Sequence, residues 1–70
     1  MRVVEELADN LAKDVIELVN KLGNDDVIYD TAKVLVATSS TMEEAYMTSI
    51  RVRLAERRAR RFLEEQAQGT

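Results

Sequence analysis

The sequence predicts an all-α fold, a helical hairpin of two long helices joined through a short middle helix and assembling as a dimer. Three observations carry that reading. Apolar residues recur at three- and four-residue spacing over 2–22 and again over 41–67, the period of an amphipathic helix. No two segments look like strands that could pair with each other. Within 41–67, residues 42–55 are apolar on two opposite sides and 56–67 on only one, and a helix apolar on two sides must be covered on two sides. A chain of 70 residues can supply one cover from its own first helix, which leaves the other to a second copy or a different protein.

Residues 2–22 form the first expected helix. Val4, Ala8, Leu11, Val15, Leu18 and Leu22 alternate four and three, as a packing seam does. Ala12, Ile16 and Val19 widen the face to roughly half the circumference, enough to touch two neighbours. Arg2, Glu6, Asp9, Lys13, Glu17 and Asn20 make the solvated side. The early carboxylates suit the positive end of the helix dipole, and Lys21 suits the negative end. Gly23 follows as the residue that accepts positive φ without strain. Asn24 or Asp25 can cap the next helix.

The middle segment, 25–38, reads as helix through Ile28, Ala32 and Leu35, with Val27, Thr31 and Val34 as a second row. The run Val34–Val36 is β-prone, but a lone strand would lack a partner, so helix is the expectation. A polar break at Thr38–Thr41 precedes the third helix. Ser40 with Glu43, or Thr41 with Glu44, has capping-box spacing. The helix then runs to Ala67, and Gln68, Gly69 and Thr70 are expected to fray.

Within the third helix, Tyr46, Met47, Ile50 and Leu54 share one stripe at ~100° per residue. Ala45, Val52, Ala55, Ala59, Phe62 and Leu63 share the other. The first stripe, extended by Met42, combines adaptable Met with Tyr, a residue enriched in interface cores. Interface anchors and core residues have the same composition, so it also suits an internal core. The assignment made from sequence places the first helix on the Val52–Ala59–Phe62 stripe. It gives the subunit or partner contact to Ile28, Tyr29, Met42, Tyr46, Met47, Ile50 and Leu54.

Composition bounds the rest. A domain this small buries a limited share of its surface and is marginal alone. There is no Cys and no His, so neither a disulfide nor the usual zinc ligands can support it; oligomerisation remains, and a homodimer is expected. No apolar run reaches the ~18–20 residues of a membrane span, and Glu5, Glu6 and Asp9 break any signal-peptide pattern. The expectation is a cytoplasmic protein without membrane contact.

Charge is unevenly spread. Residues 1–39 hold four basic against eight acidic residues, a balance of −4, and 40–70 hold six against five, a balance of +1. All six of those arginines lie between Arg51 and Arg61. Glu56–Arg60, Arg60–Glu64 and Arg61–Glu65 have the four-residue spacing of intrahelical pairs. Arg53, Arg57, Arg58 and Arg61 are the candidates for contact with an acidic partner. The net charge of −3 and the scarcity of aromatics argue against nucleic acid.

Nothing points to catalysis. Glu5, Glu6 and Asp9 have part of the acidic spacing of helical metal-binding nucleotide hydrolases, but a second acidic motif is missing. Asp25, Asp26 and Asp30 do not follow the calcium-loop register. Ser39, Ser40 and Ser49 have no His base, and Lys33 nearby comes with no oxyanion site. No enzyme activity and no cofactor are expected.

In its two long helices, short middle segment and Tyr46–Met47 surface, the whole chain resembles the small, acidic, cysteine-free helical proteins that phages encode to take over host regulators. It is most similar to phage quorum-sensing anti-activators. That resemblance implies a dimer that binds and silences a host transcriptional activator and acts also on a motor ATPase. It transfers no binding residue. The functional expectation is a non-catalytic inhibitor or modulator that occupies a partner's surface. The alternatives are a nucleic-acid-binding dimer using the Arg-rich helix, and a scaffold element whose partner is itself.

Overall fold

The computed structural model describes residues 2–69. They form three helices, α1 (Arg2–Leu22), α2 (Asp26–Val36) and α3 (Ser40–Gln68), and no strand. The middle segment is therefore helical, ending two residues earlier than its sequence boundary.

Each junction has a local cause. Gly23 sits at φ +80°, and its N–H bonds the Val19 carbonyl at 2.8 Å, closing α1 with a left-handed residue as the sequence suggests. Asn24, not Asp25, supplies the polar contact at the start of α2: its Oδ1 accepts from the Asp26 N–H at 3.1 Å. Asp25 holds the cap position without a side-chain bond. After α2, the Leu35 carbonyl takes the N–H groups of Thr38 and Ser39, which satisfies the helix end.

The start of α3 corrects the expected capping box. Ser39 is the N-cap, extended at φ −156° and ψ 103°, and its Oγ accepts from the Met42 N–H at 3.1 Å. Ser40 and Thr41 are already helical, so neither hydroxyl can serve as the cap; the cap residue must have non-helical backbone. At the other end α3 runs through Gln68, one residue past its expected end at Ala67, with the Gly69 N–H on the Glu65 carbonyl at 3.1 Å. Thr70 lies outside the described residues.

α1 and α3 are laid side by side, and residues that meet advance together along both. Asp9 meets Ser49 and Arg53, and Asn20 meets Arg57. The long helices therefore run parallel, with α2 as the return between them. The core is small: Ala8, Ala12, Val15 and Ile16 from α1, Ile28 from α2, and Tyr46 and Ile50 from α3. Leu11, Val19, Leu35, Met42, Met47 and Leu54 pack around it. α1 touches both other helices, which is why its apolar face is broad.

This packing reverses the assignment of the α3 stripes. Ile28, Tyr46 and Ile50 are the chain's own core, and Met42, Met47 and Leu54 close over it. Ile28, Tyr46 and Ile50 are thus closed inside the chain instead of being presented to a partner. Val52, Phe62 and Leu63, expected beneath α1, are 62%, 57% and 62% exposed. Length explains the choice. At ~1.5 Å per residue α1 spans about 31 Å and α3 about 43 Å. The stripe that stops at Leu54 matches a cover that runs out; the stripe that continues to Leu63 does not.

Candidate protein-binding surface

Once the core is closed, large apolar side chains remain exposed on all three helices. On α1, Val3, Leu7, Leu18 and Leu22 line the outer edge of the apolar face, beyond the buried Ala8–Ile16 stripe. On α2, Tyr29, Val34 and Val36 stand in solvent. Tyr29 is thus the one member of the sequence-assigned interface that the fold leaves well exposed. On α3, Val52, Phe62 and Leu63 occupy the side opposite Tyr46 and Ile50. Every residue from Ala55 to Gly69 is exposed. Single exposed apolar residues are ordinary, whereas rows of them on one side of a helix mark contact surfaces.

The arginines divide into committed and uncommitted. Arg53 grips Asp9 side-on, Nε to Oδ1 at 2.8 Å and Nη2 to Oδ2 at 2.7 Å. That bond, helped by a hydrogen bond from Ser49, holds the Asp9 carboxyl below its usual range despite partial desolvation. The same carboxylate pushes the Arg53 guanidinium up. Arg57 donates to Asn20 Oδ1 at 3.2 Å, a partner on α1 that helical spacing could not reveal. Arg60 bonds Glu56, the expected four-residue pair. Among the described residues no hydrogen bond or ion pair holds Arg58 or Arg61, and the expected Arg61–Glu65 pair does not form. Of the four candidates, Arg53 and Arg57 are engaged within the chain and Arg58 and Arg61 remain available.

Asp9, Lys13, Ile16, Glu17, Asn20, Val52, Arg53, Glu56 and Arg57 line an open groove of about 630 Å³ between α1 and α3. It is shallow and of mixed charge. Among the described residues no cluster of three or more metal-ligating side chains exists, no buried polar side-chain atom lacks a partner, and no helix is long and apolar enough to cross a membrane. What the described surface does present is exposed apolar side chains on all three helices and, at Arg58 and Arg61, uncommitted positive charge.

No family model, curated protein or solved structure matches the chain.

Proposed function

We propose that this chain is a non-catalytic protein-binding module, a small inhibitor or modulator that acts by covering part of a regulatory protein. The observation that supports the reading most directly is the apolar row Val3, Leu7, Leu18 and Leu22 on the outer edge of α1, left exposed by a core that is already closed. A blocking protein needs complementary area and a few anchors that bury on contact. Leucines held on a rigid helix supply such anchors, and Arg58 and Arg61 supply charge for an acidic rim. Following the resemblance to phage anti-activators, the partner we propose is a transcriptional regulator in the cytoplasm of a bacterial host.

The test is capture by the tagged chain from a bacterial lysate, treated with nuclease and run beside a Leu18→Asp, Leu22→Asp double variant of unchanged helicity. A single protein retained in stoichiometric amount by the original chain and lost by the variant is the expected result. Capture abolished by nuclease, and weakening steeply with salt, would replace this reading with phosphate binding by the arginines. Equal retention by both chains would exclude the α1 row.

A further inference from the structure

The exposed side of α3 carries a second ordered pattern. Thr48, Val52, Ala55, Ala59, Phe62 and Gln66 alternate four and three. At ~100° per residue they fall within a stripe about 80° wide, running about 27 Å along the helix. All six are exposed, and they lie opposite the buried Tyr46 and Ile50. A heptad seam this narrow is the geometry of a two-stranded coiled coil; a helix packing on a globular core uses a broader face.

We propose that this seam is where a second copy of the chain docks, α3 against α3, parallel and in register about a two-fold axis. The residues flanking the seam choose the occupant and its direction. In a parallel pair the residue just before an inner position faces, on the other helix, the residue five further on, and opposite charges there set orientation. Arg51 then faces the second copy's Glu56, twice by symmetry. Glu44 faces Ser49, and Arg58 faces Leu63, whose exposed side chain its aliphatic stem can cover. No like charges meet. Turning one helix around, with Ala45 beside Phe62 and Val52 beside Ala55, sets Arg51 against Arg58 and Glu44 against Glu65. Sliding by one heptad restores Arg51 to Glu65 but opposes Arg58 to itself and Glu56 to itself. Glu56 can serve the parallel pair because Arg60 engages one of its two oxygens, Oε2. Ala55 and Ala59 at inner positions let the backbones approach closely, with Val52 and Phe62 filling the layers on either side.

The experiment uses the full chain. Sedimentation equilibrium should give twice the 7.9 kDa chain mass at high concentration. Ala59→Asp, which sets two carboxylates face to face at an exposed position, should give the single mass with helicity retained. Arg51→Glu should weaken the dimer, and adding Glu56→Arg should restore it, a rescue that holds even if Ala59→Asp failed to fold. Because the chain has no cysteine, Ala55→Cys reports direction: mild oxidation should link parallel in-register copies. A single mass for the unaltered chain would overturn the proposal and leave the seam to another protein. A dimer indifferent to Ala59→Asp would overturn the surface, and an Ala55→Cys dimer that cannot be linked would overturn the direction.

Discussion

The Tyr46 hydroxyl donates to the Ile28 carbonyl oxygen at 2.9 Å, from a side chain with 0% exposure. The bond ties the second turn of α3 to the first turn of α2 and gives the largest core side chain a partner for its polar end. Tyr46→Phe keeps the ring and removes the bond, so it should cost about 1 kcal/mol in urea denaturation. Tyr46→Ala also opens a cavity and should cost about 3–5 kcal/mol, enough to unfold a domain of this size.

Burial pushes the Tyr46 hydroxyl above its ordinary value of 10.0, against a smaller opposing effect of a hydrogen bond with Thr31. The folded chain therefore holds that proton more tightly than the unfolded chain. Its contribution is complete below pH 10 and is lost as pH rises through the raised folded value. Alkaline unfolding followed by circular dichroism should move to higher pH in Tyr46→Phe, corrected for its lower stability at neutral pH.

The Asp9–Arg53 bond makes the opposite prediction at acid pH. Asp9 is held below 3.8 when folded, so its contribution is present above that value and fades as pH falls through the lowered one. Both side chains are a third or more exposed, so the pair is worth about 1 kcal/mol or less. Asp9→Asn should lower Tm slightly at pH 7 and low salt. The two melting curves should converge once pH falls below the lowered Asp9 value, or in concentrated salt.

Ile50→Asp separates the two arrangements of α3. On a subunit contact it would give a folded monomer. At its observed 2% exposure it buries an unpaired carboxylate, and the chain should lose its helical circular dichroism at 25 °C. A folded monomer would contradict the core described above.

Gly23→Ala tests the α1–α2 corner. A Cβ there meets no atom within 4 Å, so only the +80° φ opposes it. The cost should be about 1–2 kcal/mol of unfolding free energy, with the fold retained.

The boundaries of α1 and its glycine stop were readable in the sequence because periodicity and a chain-reversing residue coincide there. The start of α3 was displaced because Thr38–Thr41 offers several hydroxyls at capping spacing, and only backbone dihedrals select Ser39. The exchange of the α3 stripes has a deeper cause. Both are apolar, and composition alone does not say which one a neighbouring helix covers. The informative signal was the abrupt replacement of the Tyr46–Leu54 stripe by Arg57, Arg60 and Arg61, which marks where a cover ends. Asp9–Arg53 and Asn20–Arg57 were invisible because they depend on the parallel course of α1 and α3. For the same reason the contact residues assigned from sequence, Tyr29 excepted, lie in or around the core, while Leu18, Leu22 and Phe62, assigned to packing, are exposed.

Beyond Arg57, which makes the last hydrogen bond to α1 among the described residues, α3 runs on for roughly 16 Å. Isolated helices of that length are marginal in water, so this end should open far more often than the rest, with the fastest amide hydrogen exchange among the helices. It also holds Arg58, Arg60 and Arg61, and with Arg57 at its border offers four bonds that trypsin can cut. Digestion should begin there and leave a helical remnant ending near Arg57. A mate lying along α3 would shield these bonds, so the rate of nicking should fall as the protein is concentrated.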